Sequence, residues 1–251
     1  MAIDPRSFPR PQAPVYATPA QAREQAKRAS AAAFRIFWKL GFDEGVMGHI
    51  SFRDPEFADQ FWINPFAVCF GQIRAADLMR INLEGKVLEG EGFPHPGGIP
   101  QHAAIYAEDP EIRAVAHTHS PHGKAFSTLG RLLEPISTEA AVFFGRHVLY
   151  DTFAHGEGGE LGRAARGNKA VIMKNHGILT VGTTVEEAAY LFLSLEKVCR
   201  EQLLAFAAGE PERIAREPAE RIAQHFGAPQ GWLNFQPAYQ DIVREQPELL
   251  Q

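Results

Sequence analysis

Most of the chemistry open to this sequence lies in its histidines. There are ten, and three sit in two short segments. His117-Thr118-His119 closes the apolar run Ala114–Thr118. In a strand, residues two apart point to one face, so both imidazoles can reach one metal ion while Thr118 turns away. Lys174-Asn175-His176-Gly177 follows a second apolar run, Ala170–Met173. The glycine there permits a tight turn that aims His176 into a pocket. Three neutral imidazoles with an open coordination position suit a catalytic divalent transition metal, and Zn, Fe(II) and Mn all fit that ligand set. Histidine pairs at this spacing also occur as packed or solvated side chains. Cys69 and Cys199 make neither a disulfide framework nor a four-cysteine zinc site, and both read as core thiols.

The elements that must hold these histidines alternate between helix and strand. Thr18-Pro19-Ala20-Gln21 reads as a helix start, with Ala26 to Leu40 at helical spacing and Gly41 as the stop. Strands are predicted at His49–Arg53, Phe61–Asn64, Leu78–Asn82, Ile112–Thr118, Val148–Tyr150, Ala170–Met173 and Gly177–Val181. A helix should run from Ile99–Pro100 to just before Pro110, another should start at Ser120-Pro121 as N-cap and N1, and a third should cover Glu160–Arg166. Thr184-Val185-Glu186-Glu187 is a capping box that opens a long helix with Leu191, Phe192, Leu195, Val198 and Cys199 on one side.

The 251 residues are 45% hydrophobic with a formal net charge of −5. That composition supports a substantial core, gives no electrostatic reason to bind nucleic acid, and contains no run long enough to span a membrane. The prolines at 5, 9, 11, 14 and 19 mark an extended arm with no secretory core, so a cytoplasmic protein is expected. The chain then divides into an arm (1–19), one α/β domain (20–208) and a C-terminal extension (209–251). The stretch around Trp232, Phe235 and Tyr239 reads as poor material for an isolated hairpin or helix and as better material for a subunit contact.

Three stretches in order, Gly48-His49-Ile50-Ser51-Phe52-Arg53, Arg113 to Ser120, and Lys174-Asn175-His176-Gly177, resemble the class II aldolase/adducin family. The resemblance covers about residues 22–208 and implies a three-layer α/β/α sandwich around a mostly antiparallel sheet. It also implies His117, His119 and His176 on the metal, and a homo-oligomer, commonly a tetramer with sites at subunit contacts. The tail resembles an adducin-like subgroup. Relatives there include an aromatic decarboxylase and a non-haem iron oxygenase acting on a prenylated hydroxyphenylpyruvate. Adducin itself shares the fold without the metal histidines.

Departures from the family pattern carry equal weight. The aldolases' Ser-Ser-Glu becomes Pro96-Gly97-Gly98, so the acid/base carboxylate is missing. Gly98 stands four residues before His102 and 19 before His117, as that glutamate does (102 − 98 and 117 − 98). The Asn of Gly-Asn-x-Ser becomes His49, and Thr-Pro-Thr-Gly becomes Asn64-Pro65-Phe66-Ala67. A phosphate cradle thus turns into an aromatic-compatible pocket of His49, Asn64, Phe66 and Gly98, with Phe70 nearby. The expected activity is a metal-dependent carbon–carbon lyase, decarboxylase ahead of aldolase, on a non-phosphorylated oxo or hydroxyaryl carboxylic acid. The alternatives are an Fe(II) oxygenase on an aryl-pyruvate-type acid and a non-catalytic interaction domain. His102, Glu139 and Tyr239 are the candidates to replace the lost acid/base group, Tyr239 across a subunit contact. His95 and His155 lie in loops and read as surface residues.

Overall fold

The computed structural model describes residues 11–156 and 158–251. Residues 1–10 of the arm, and Glu157 in the glycine-rich run at 156–159, lie outside it. Helix α1 (Pro19–Lys39) starts as its sequence dictates: the Thr18 side chain accepts from the Gln21 N–H, and Pro19 sits at N1. Strands β1 (His49–Arg53), β2 (Gln60–Ile63), β3 (Met79–Asn82) and β4 (Val87–Glu89) follow, then α2 (Gly98–Glu108), β5 (Ala114–Thr118), α3 (Pro121–Ser127) and α4 (Thr138–Ala141). Next come β6 (His147–Tyr150), α5 (Thr152–His155), α6 (Gly159–Ala165), β7 (Ala170–Met173) and β8 (Gly177–Gly182). The chain ends with α7 (Val185–Ala208), α8 (Arg216–His225), α9 (Ala228–Glu245) and a short 3-10 turn, Pro247–Leu250.

The strands form one sheet in the order β4-β3-β2-β1-β5-β8-β7-β6. Every pairing is antiparallel except β6 with β7, so the sheet is mixed but mostly antiparallel, as the resemblance implied. Alternation along each strand builds two cores. Ile50, Phe52, Ala114, Ala116, Ile172 and Ile178 pack on one face with α1, α7 and α9. Val115, Phe61, Ile81, Val171, Leu179 and Val181 pack on the other with Ile105 and Tyr106 of α2 and Leu161 of α6. Asp54, just past β1, binds α1 to the sheet: it accepts from Arg23 Nε at 2.7 Å and from the indole N–H of buried Trp62 at 2.7 Å.

Three expectations are corrected. The C-terminal stretch is helical and packs on its own chain, with Phe235 and Ile242 of α9 in the main core. A side chain on Gly231 would stand 2.7 Å from Glu187 Cα, so α9 closes directly onto α7. Pro237 lies inside that helix, and packing overrides its cost to helix propensity. Cys69 is exposed, in the loop leading to the 3-10 turn at 70–72; Cys199 is buried. Phe70 lies edge-on against Phe34 of α1 at 4.7 Å and belongs to the core, not to a pocket.

Candidate metal centre

The ladder between β1 and β5 sets His49 opposite His117. Paired residues share a face, so both rings rise on the α2 side of the sheet. His117 is buried, and its Nδ1–H donates to the Ile178 carbonyl at 2.9 Å. A carbonyl only accepts, so the proton is on Nδ1 and the Nε2 lone pair is left for a ligand. His119 follows at the strand end, its Nδ1 3.7 Å from Glu44 Oε2, while Lys124 Nζ holds the same carboxylate at 2.6 Å. His176 comes from the β7–β8 turn. Asn175 takes a left-handed φ of 57°, and Gly177 sits at φ 158°. A Cβ on Gly177 would meet the Thr118 carbonyl at 3.1 Å and His117 Cε1 at 3.5 Å, so the histidine loops approach this closely because residue 177 is glycine.

The three rings stand edge to face, with centroids 4.9 to 5.3 Å apart. One nitrogen from each falls within 4.8 Å of the others. Burial, reinforced by the neighbouring imidazoles, holds His117 well below the usual histidine range. His119 is pushed down to about 4, by burial first and then by His176, against an opposing pull from Glu44. Neutral rings are what a divalent metal requires, and His117 already carries the carbonyl hydrogen bond that orients metal-binding histidines. The residues therefore fit a three-imidazole metal site.

More histidines adjoin this group. His49 is buried, its ring centroid 5.0 Å from His117, 4.5 Å from His102 and 5.0 Å from His95. Its Nδ1 lies 2.6 Å from His102 Nε2. The second nitrogen of His102 lies 2.5 Å from Ser51 Oγ, which is 2.7 Å from the Tyr106 hydroxyl. His95 Nδ1 accepts the N–H groups of Gly97 and Gly98, each at 3.1 Å, and the Phe66 and His95 rings are T-shaped with centroids 5.1 Å apart. Burial pushes His102 down to about 3 and His49 well below its ordinary value.

The structure thus brings His49, His102, His117, His119 and His176 together, with Phe66 reaching them through His95. His95 is buried in this cluster and is not a surface residue; His155 is exposed, with its ring 5.9 Å from Tyr150. Asn64 is buried beside Pro65; its amide nitrogen meets the Pro65 carbonyl at 3.3 Å, and its oxygen has no partner among the described residues. Gly98 lies beneath the His49 ring, whose Cγ and Cδ2 would stand 2.9 Å from a Cβ at that position. Glu139 is exposed on α4 and accepts from Thr138, and Tyr239 packs near Phe235 on α9. Neither touches the histidines of its own chain among the contacts described.

Sequence reasoning missed Glu196. Its buried carboxylate accepts from Ser120 Oγ at 2.6 Å, from the Gly123 N–H at 2.6 Å, and from His122 through both N–H and Nδ1–H at 2.8 Å. Ser120 therefore does not cap α3 with its own side chain; a glutamate 76 residues away does, directly after His119. The available signal was a charged residue on the apolar stripe of α7, four after Phe192 and three before Cys199.

Residues 28–203 match the Class II Aldolase and Adducin N-terminal domain, and the chain belongs to that family. It is 38% identical to "Decarboxylase NovR" of Streptomyces niveus, over 95% of this chain and 91% of that protein. It is 37% identical to "4-hydroxy-3-prenylphenylpyruvate oxygenase/4-hydroxy-3-prenylbenzoate synthase" of Streptomyces roseochromogenus subsp. oscitans, over 94% and 88% respectively. Among solved structures, "L-fuculose 1-phosphate aldolase from Glaciozyma antarctica PI12" superimposes with a TM-score of 0.89 at 38% identity, covering 96% of this chain and 97% of that one.

Proposed function

We propose that the protein is a metal-dependent carbon–carbon lyase acting on a non-phosphorylated oxo or hydroxyaryl carboxylic acid, with decarboxylation as its reaction. The observation that carries this reading is His49 standing over Gly98. The ring occupies the space a side chain at 98 would enter, with Cγ and Cδ2 2.9 Å from a Cβ built there. No carboxylate is left at that position to abstract a proton from carbon. Aldol cleavage of a sugar phosphate leans on such a base, whereas decarboxylation does not: the bond to the carboxylate breaks, its electrons enter a carbonyl β to the carboxylate or the hydroxyaryl ring, and a proton returns to carbon.

A divalent metal on His117, His119 and His176 would supply Lewis-acid stabilisation of the negative charge that develops. His49 and His95 offer imidazole edges to a carboxylate, and Phe66, 36% exposed, offers an aromatic face to the remainder of the substrate. The decarboxylase name of a 38%-identical relative supports this reading. The oxygenase name of a 37%-identical relative supports a second: an Fe(II) oxygenase on an aryl-pyruvate-type acid, built on the same three ligands. The aldolase name of the structural neighbour keeps sugar phosphates in the test panel.

The deciding experiment measures the metal in protein isolated without added metal, then assays turnover with and without O₂. Fuculose and ribulose phosphates are set against aryl pyruvates and hydroxyaryl carboxylates. Zinc or manganese with CO₂ release and no O₂ uptake supports the lyase. Iron with O₂ uptake supports the oxygenase. Sugar-phosphate cleavage near the ~10⁴ M⁻¹s⁻¹ lower end of ordinary enzymes would overturn both.

A further inference from the structure

The hydrogen-bond chain behind His49 has a direction, and that direction decides what His49 can do. Tyr106 is 2% exposed, and its hydroxyl meets only Ser51 Oγ among the described residues, at 2.7 Å. A buried phenol strands its proton unless it donates, so Tyr106 donates to Ser51. The Ser51 proton then has one acceptor left, His102 Nδ1 at 2.5 Å. His102 is fully buried and faces no carboxylate among the described residues, so the ring is neutral and carries its proton on Nε2. That N–H donates across 2.6 Å to His49 Nδ1. The proton of neutral His49 is therefore on Nε2.

We propose that the relay from Tyr106 through Ser51 and His102 fixes His49 as a hydrogen-bond donor for the substrate's carboxylate, neither a proton acceptor nor a fourth metal ligand. Reversing every bond would leave the Tyr106 proton buried without an acceptor and turn a lone pair of His49 toward an incoming anion. The relay also separates two roles for neighbouring imidazoles whose centroids are 5.0 Å apart. His117 donates to a carbonyl from Nδ1 and keeps Nε2 bare for a metal, while His49 accepts at Nδ1 and presents N–H. His102, Ser51 and Tyr106 act as positioning residues. The assignment of the anion as a carboxylate rests on the substrate class proposed above; the assignment of the tautomers does not.

The test reads the tautomers directly. Protein labelled with ¹⁵N at histidine and free of substrate is examined by NMR, with His49→Gln and His102→Gln used to assign the two rings. Both rings should report the Nε2–H form; an Nδ1–H form at either overturns the relay. The second arm measures the affinity of zinc-loaded protein for phenylpyruvate and 4-hydroxybenzoate. His49→Gln, which keeps an N–H, should stay within about threefold of the parent, and His49→Leu should lose about tenfold or more at unchanged zinc content. Equal losses in the two variants overturn the donor role. If the parent binds neither phenylpyruvate nor 4-hydroxybenzoate, the proposed substrate class fails, while the tautomer measurement still decides the relay.

Discussion

His49 and Gly98 are one unit: the imidazole of the first fills the volume that a side chain on the second would need. Built on the backbone, a Gly98 Cβ stands 2.9 Å from two ring carbons of His49. Gly98→Ala should therefore destabilise the protein by about 1–3 kcal/mol through overpacking, as read from denaturant midpoints. Gly98→Glu alone should displace His49 and lower activity without creating an aldolase. Only the pair His49→Asn with Gly98→Glu provides room for a carboxylate. Aldolase activity in the single variant, with His49 undisturbed, would show that the packing has been misjudged.

His117→Ala, His119→Ala and His176→Ala should each lower bound metal and abolish turnover while the protein stays folded. The two cores flanking the sheet do not depend on these side chains, so circular dichroism should change little. Full activity in a variant lacking all three would sink the metal-site assignment.

Removing the Glu196 carboxylate leaves the start of α3 uncapped next to His119. Glu196→Ala should cost about 2–4 kcal/mol, because buried donors lose a charged acceptor. It should also weaken metal affinity by about 10-fold or more. Glu196→Gln, which still offers one acceptor oxygen, should lose less. Metal titration together with thermal melts distinguishes the two effects.

Acid should destabilise the metal-free protein from a high starting pH. His102 is held at about 3 in the folded state by burial, against about 6.5 when unfolded. Above about 6.5 the ring is neutral in both states and contributes no pH dependence. Below that, the unfolded chain takes up a proton that the folded chain refuses. Stability then falls by up to ~1.4 kcal/mol per pH unit until the folded value is reached. His49, His117 and His119 are depressed in the same way, so His102→Gln should remove one group's share of the slope between pH 6.5 and 4 and leave the rest. An unchanged slope would mean that His102 is charged in the folded protein.

Phe93, two residues before His95, and Phe153, in the short helix α5, are about four-fifths exposed. Large apolar side chains left in water mark contact surfaces. Sedimentation should accordingly show an oligomer, with a tetramer expected from the family, and Phe93→Ser with Phe153→Ser should shift it toward smaller species. A monomer at micromolar concentration would refute this.

The clustering of His117, His119 and His176 was legible because strand alternation and a glycine turn are local rules, and both operate within a few residues of His117 and His176. Helices α1 and α7 were legible for the same reason, since Thr18 and Thr184 cap their own neighbours. What escaped was set by tertiary packing. Glu196 reaches Ser120 across 76 residues, and no local pattern encodes that contact. α9 carries Gly231 and Pro237 in its interior, and it is helical because its apolar side lies against α7 and α1. Gly98 read as pocket lining that had lost a carboxylate; only the fold shows that the His49 ring occupies the space beside it.

The bond between Trp62 and Asp54 gives the protein an internal optical gauge. The indole is buried on β2, stacked 6.2 Å from Phe52, and its N–H ends on a carboxylate that also grips Arg23 of α1. With the other two tryptophans replaced (Trp38→Phe, Trp232→Phe), its emission should be blue-shifted while helix and sheet stay joined, and should move red as they part. That signal arises from a residue that takes no part in the histidine cluster, so it can follow the scaffold while metal or ligand is exchanged.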